Sequence, residues 1–260
     1  MLNDLNGKTV LVTGGTRGIG LAIGLAFGGR QARCVLTHRW GSADEDEIRA
    51  RFAEAGAPAP LIVEADVANA ADTDDLLAAI RDETGRLDVF VSNAAFAPPV
   101  ATFDDYVKRD FLRAIEYTTW PMAAYTRAIR AQFGQYPRYV VGLSSPGHLR
   151  YLDGYDAVAM AKSMLETMTA YLAHHLGPEG VNVNIVRAGF VDTEALASVI
   201  GADKVARLRE IAPERIIPVE EVADAVLALC SGLLDGVNGA VIPVDRGTVF
   251  SDSMLAGLQP

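Results

Sequence analysis

The chain has 260 residues, half of them hydrophobic and 22% charged, with a formal net charge of −10. That composition excludes a disordered chain, and the length allows roughly 70–75% of the unfolded chain's surface to be buried. The acidic balance, with no basic stripe, excludes the usual nucleic-acid footprint and argues against an anionic membrane as partner.

Apolar runs of strand length alternate with longer helical patterns. KTVLVTGG (8–15) reads as a buried strand entering a turn, and 18–30 as a helix. A second strand covers 32–39. A helix with an acidic first turn, suited to the helix dipole, covers 44–56 and stops at a glycine. A third strand spans 60–67, a helix 71–85 and a fourth strand 86–95. One long helical stretch runs over about 103–133, then a strand over 138–145, a helix over about 155–176 and a strand over 181–189. After an irregular stretch at 194–216 come a helix at 219–232 and a last strand at 240–245, with a short tail beyond Gly247. The alternation predicts a single α/β domain over 1–260, a mainly parallel seven-stranded sheet with helices on both faces. Near-continuous apolar strands such as VLV and VFV suit a sheet covered on both sides.

Cys34 and Cys230 sit in apolar runs and read as buried thiols; they lack metal or redox spacing. No metal-ligand cluster is expected. The N-terminus lacks the features of a signal peptide, and no apolar stretch reaches the ~20 residues of a membrane helix. The expected compartment is a reducing cytoplasm.

TGGTRGIG places Gly14, Gly18 and Gly20 between the first strand and the first helix. Glycines there permit positive φ and a close backbone approach to a pyrophosphate, while the helix N-terminus offers free N–H groups. The spacing TGxxxGxG resembles that of the short-chain dehydrogenases/reductases, a doubly wound Rossmann fold. Further segments carry the likeness across the chain. ADV (65–67) is similar to the family's Asp-Val at the adenine. VSNAA (91–95) retains Asn93 but departs at Ser92 and Ala95. AGFVDT (188–193) resembles the segment flanking the nicotinamide, with Ala188 in place of Pro. The resemblance implies a nicotinamide dinucleotide lying along Gly14, Thr16, Arg17, Gly18, Ile19, Gly20, Asp66, Val67, Asn93, Ala94, Lys162, Gly189, Val191 and Thr193.

In such folds an acid at the end of the second strand favours the ribose 2′-hydroxyl of NAD. Here that strand ends LTHRW, with His38 and Arg39 and no acid, and Arg17 stands in the glycine turn. A guanidinium forks around a phosphate, so NADPH is the expected cofactor.

Most members of the family carry a Ser and a Tyr-x-x-x-Lys. Lys162 matches the lysine, but Val158 stands four residues before it, where the tyrosine proton donor belongs. Tyr155 stands seven residues before Lys162. This Tyr-x6-Lys layout resembles the enoyl-thioester reductase branch, most closely the type III enoyl-acyl-carrier-protein reductases, through LSSPGHLRYLDGY (143–155). The resemblance implies Tyr155 as proton donor or enolate stabiliser and Ser145 as a site-lining hydroxyl. Lys162 would bind the ribose and lower the tyrosine pKa. Tyr151 is a weaker second candidate. In enoyl reduction hydride lands on Cβ, and charge develops on a carbonyl oxygen two carbons away. A donor moved three residues along a helix, about 4.5 Å of rise, follows that oxygen.

The family's spacing back from Ser145 places Tyr117 where many members have an Asn that supports a water relay. Tyr117 therefore either shapes the pocket, takes part in the reaction, or is a buried helix aromatic. His148 lies on a loop beside the expected pocket. His174 and His175 read as helix-end residues.

The leading expectation is an NADPH-dependent reductase acting on a trans-2-enoyl thioester of a carrier protein or CoA. The alternatives are an atypical ketoreductase or cyclic enone reductase of polyketide or specialised metabolism, and a non-catalytic cofactor-binding scaffold. By resemblance the helical stretches 103–133 and 155–176 would form a homotetramer interface. Residues 194–216, with Leu196, Val199 and Ile200, would form a mobile lid over an acyl chain or a polycyclic body.

Overall fold

The seven strands lie in one parallel sheet ordered β3-β2-β1-β4-β5-β6-β7. They are β1 (Thr9–Val12), β2 (Arg33–His38), β3 (Leu61–Glu64), β4 (Val89–Ser92), β5 (Tyr139–Ser144), β6 (Asn182–Ala188) and β7 (Val241–Val244). This computed structural model describes residues 5–41 and 43–250; residues 1–4, Ser42 and 251–260, and with them most of the tail beyond Gly247, lie outside it.

Alternation along each strand sends side chains to two cores. From β1, Val10 and Val12 pack with α1 (Gly18–Gly28), α2 (Glu45–Glu54) and α9 (Val219–Leu229) on one face. Leu11 turns to the other face, where α3 (Ala70–Thr84), α5 (Trp120–Phe133) and α6 (Asp156–Leu176) supply Leu76, Leu77, Ile80, Met122, Tyr125, Ile129 and Leu165. The Phe90 and Tyr125 rings stack there at 5.3 Å. Both cysteines are buried in the first core, and burial pushes the Cys34 thiol up to about 12 and raises that of Cys230 as well.

Two stretches differ from the sequence expectation. The long helix over 103–133 is instead a 3-10 turn (Phe103–Asp105) followed by α4 (Lys108–Thr118) and then α5. Pro121, in the first turn of α5, has no N–H with which to continue the helix from α4. The turn itself is a capping box between Thr102 and Asp105. The irregular stretch 194–216 is more ordered than its sequence suggests: α7 (Glu194–Ile200), α8 (Ala202–Ile211) and a short 3-10 turn (Pro213–Arg215). Thr193 caps α7 by accepting the Leu196 N–H, and α7 ends at Gly201 with φ of +94°.

Strand order reverses between β1 and its neighbours β2 and β4, whose connections run to opposite sides of the sheet. In such a sheet the crevice beyond the carboxyl ends of these strands is where ligands bind.

Candidate active site

The turn after β1 is built to hold an anion. Gly14 and Gly18 have φ of +61° and +51°, and a Cβ on Gly20 would fall 2.2 Å from the Gly14 carbonyl oxygen. The side chain of Arg17, the N-cap of α1, makes no capping bond, so the first N–H groups of the helix point into the turn without a side-chain cap. These features fit the pyrophosphate of a dinucleotide. Thr13 and Asn93 fix the turn against β4. The Thr13 hydroxyl accepts the N–H groups of Asn93 and Ala94 at 3.1 and 3.2 Å, and the Asn93 amide donates to the Thr13 and Gly14 carbonyls, both at 2.9 Å. The 188–193 segment also reaches this turn: a Cβ on Gly18 would lie 3.5 Å from the Thr193 methyl. Thr16, Val67 and Val191 are buried, and Ile19 is half-buried. A Cβ on Gly189 would press on Ile217 and Asp245.

At the end of β2, Arg39 pairs with Asp66 at 3.1 Å, and its guanidinium lies 3.6 Å over the Trp40 ring and 4.6 Å over that of Tyr117. The Tyr117 hydroxyl donates to the same Asp66 carboxylate at 3.0 Å. Tyr117 is thus drawn to the β2–β3 end of the crevice, not to Lys162. The side chain that turns inward next to β4 is its neighbour Thr118, buried and accepting the Phe96 N–H at 3.1 Å. One residue turns a helical side chain by about 100°, so a count displaced by one position reverses the reading. His38 is buried, with Nδ1 unpartnered among the described residues, and Arg17 is exposed.

Across the crevice, the Ser145 and Tyr155 hydroxyls are hydrogen-bonded at 2.9 Å. Ser145 follows β5 and opens the 3-10 turn Pro146–His148; Tyr155 is the N-cap of α6. Gly147 makes this approach possible, since a Cβ there would lie 2.4 Å from the Tyr155 ring. Val158 is buried in the packing of α6 and presents no polar group. Lys162, two helical turns beyond Tyr155 and buried, donates to the Leu143 carbonyl at 2.5 Å. Burial lowers the Lys162 ammonium to about 8, and Glu166 works in the opposite direction. The Tyr155 phenol differs from the family-based expectation: burial raises it above its ordinary value, against a lowering hydrogen bond from Ser145. The Lys162 ammonium uses one of its three N–H donors on Leu143, and the polar partner of the phenol is Ser145. Tyr151 is exposed and bonds weakly to Asp153.

The sequence reading missed a third group. Glu166, one turn beyond Lys162, accepts from the Ser144 hydroxyl at 2.6 Å and from Arg187 through two nitrogens at 2.8 and 2.5 Å. His148 Nε2 lies 3.2 Å from the same carboxylate. A glutamate four residues after the lysine was the available signal, but on a helix that spacing more often marks an exposed ion pair. Among the described residues, no group of three His, Cys, Asp or Glu side chains could hold a metal ion, and no helix is long and apolar enough to cross a membrane.

A family model described as Enoyl-(Acyl carrier protein) reductase matches residues 14–249. The chain is 29% identical over 251 residues to the enoyl-acyl-carrier-protein reductase (NADH) FabI of Escherichia coli (strain K12), covering 94% of each chain. It is 32% identical over 269 residues to cyclohexanol dehydrogenase of Rhodococcus sp. (strain TK6), covering 95% of this chain and 98% of that one. Among solved structures, levodione reductase aligns with a TM-score of 0.84 at 22% identity, covering 95% of this chain and 99% of that one, a likeness of fold.

Proposed function

The chain belongs to the enoyl-(acyl carrier protein) reductase family of short-chain dehydrogenases/reductases, and from that membership we propose that it is an NADPH-dependent reductase of the activated C=C bond of an enoyl thioester. The observation that carries this reading is the Ser145–Tyr155 hydrogen bond, with the tyrosine seven residues ahead of Lys162 and the buried, apolar Val158 at the position nearer the lysine.

A reduced nicotinamide nucleotide supplies the hydride. The glycine turn and the N-terminus of α1 hold its pyrophosphate, and Asn93 and Thr13 keep that turn in place. Arg39, at the end of β2, and the exposed Arg17, in the glycine turn, favour the 2′-phosphate, with His38 preceding Arg39 in the chain. The relatives whose names specify NADH make this the point at which this chain would differ from them. Lys162 binds the nicotinamide ribose. Tyr155, kept neutral by its burial, donates its O–H to the thioester oxygen where negative charge develops, and Ser145 orients the phenol. Helix α7 covers the substrate with Leu196, Val199 and Ile200, and an Arg209–Asp192 ion pair at 2.5 Å ties α8 to the segment behind the nicotinamide site. The exposed Trp120, Met160, Met164 and Tyr171 on α5 and α6 suit a homotetramer interface.

A second reading, reduction of a cyclic ketone or enone, is favoured by the 32% identity to cyclohexanol dehydrogenase. Absorbance of NADPH followed with crotonyl and longer enoyl thioesters, and then with matched 3-ketoacyl thioesters and cyclic ketones, separates the two. Enoyl turnover that collapses by a factor on the order of 10²–10⁴ in Tyr155→Phe is the expected result. Turnover confined to ketones, and indifferent to that substitution, would overturn the first reading.

A further inference from the structure

Four elements converge on one carboxylate behind the Ser145–Tyr155 pair. Strands β5 and β6 pair in a register that sets Ser144 beside Arg187, so both side chains leave the same face of the sheet. Helix α6 packs over that face and lowers Glu166 between them. The carboxylate takes the Ser144 hydroxyl at 2.6 Å and the Arg187 guanidinium at 2.8 and 2.5 Å. His148, at the far end of the Pro146–His148 turn, reaches it at 3.2 Å. Ser144 immediately precedes Ser145 and His148 closes the turn that follows it, so Glu166 grips both ends of the segment that presents Ser145 and packs Gly147 on Tyr155. On its own helix Glu166 stands one turn from Lys162. Asp245 acts on Arg187 from beyond β7.

We propose that Glu166 is a positioning residue: its carboxylate balances the buried Lys162 ammonium and, through Ser144 and His148, holds the turn that orders Ser145 against Tyr155. The charges in this cluster are matched in a way that a purely structural brace does not require. Lys162 is desolvated, and Glu166 is the acid that favours its charged form. Burial works to raise the Glu166 carboxyl, but bonds from Arg187 and Ser144 and the proximity of His148 hold it below its ordinary value, so it remains an anion. Loss of the carboxylate leaves Lys162 without the counter-charge one helical turn away and leaves the Arg187 guanidinium unpaired. Loss of the guanidinium leaves the Glu166 anion without the cation bonded to it, so its field at Lys162 is no longer offset.

The two substitutions therefore move Lys162 in opposite directions. The assignment rests on Lys162 acting as a cation in the reaction proposed above, but its test needs no substrate. The ammonium of Lys162 is titrated by heteronuclear NMR in the ligand-free protein, for the wild type, Glu166→Gln and Arg187→Gln. Glu166→Gln is expected to move the Lys162 midpoint to lower pH, by about one unit or more, and Arg187→Gln to move it to higher pH. The alkaline limb of the kcat profile should follow in both variants, and Glu166→Asp should restore part of the shift. Equal shifts in the same direction, or no shift, would overturn the assignment whatever reaction the enzyme performs. If Glu166→Gln does not fold, Arg187→Gln alone decides: an upward midpoint supports the proposal, and an unchanged or lower one refutes it.

Discussion

Ser145 and Tyr155 share a hydrogen bond of 2.9 Å only because residue 147, between them in sequence, has no side chain. The Tyr155 ring lies where a Cβ of residue 147 would sit. Gly147→Ala must therefore displace the phenol or the turn. We expect kcat to fall on the order of a hundredfold, as for a donor misplaced by ~1 Å, with a stability loss of about 1–3 kcal/mol from overpacking. Turnover with the enoyl substrate and thermal unfolding, measured side by side, check this; unchanged kcat would mean that Tyr155 is not placed by this contact.

Lys162 gives a stability prediction with a definite sign. Its ammonium stands at about 8 in the folded chain against an ordinary 10.5. Between these values the folded protein has shed the proton and the unfolded chain retains it, so unfolding takes up a proton and stability rises with pH across that window. Below about pH 8 the full penalty applies, on the order of 3 kcal/mol. Lys162→Met removes it and gives up one hydrogen bond to Leu143 worth about 1 kcal/mol. Urea unfolding at pH 7 should show a gain of about 2 kcal/mol that shrinks toward pH 10.5, together with loss of catalysis. A variant no more stable than the wild type at pH 7 would contradict the desolvated-cation account.

Arg39 and Tyr117 both bind Asp66, and the cofactor choice should be sensitive to each. Arg39→Ala is expected to weaken NADPH binding by about 10- to 100-fold, the value of a charged hydrogen bond, and to leave NADH binding nearly unchanged. Tyr117→Phe removes one neutral-donor bond and should weaken NADPH about fivefold without the kcat collapse of Tyr155→Phe. Fluorescence titration with both nucleotides provides the measurement. A wild type that prefers NADH would overturn the NADPH assignment.

Met164 and Tyr171 are large, apolar and exposed on one side of α6, at 44% and 66%. Charged replacements, Met164→Glu with Tyr171→Glu, are expected to reduce the proposed homotetramer to smaller species by light scattering. A wild type that is monomeric at micromolar concentration would remove the basis for the interface.

The order of the strands, the glycine turn, the burial of both cysteines and the Tyr155–Lys162 spacing were legible in the sequence, because each depends on contacts within a few residues or on a period of two or 3.6. The break at Pro121 could have been read from its missing N–H. The orientation of Tyr117 could not be read, since an error of one residue turns a helical side chain by about 100°. Nor could the Glu166 cluster: its partners, Ser144, His148 and Arg187, come from three other elements, and only the parallel register of β5 with β6 and the packing of α6 across them bring these charges together. Local chemistry set most of the elements and pointed to the candidate site residues. Their electrostatic surroundings arose from long-range packing, which buries charge and so requires each charge to find a partner.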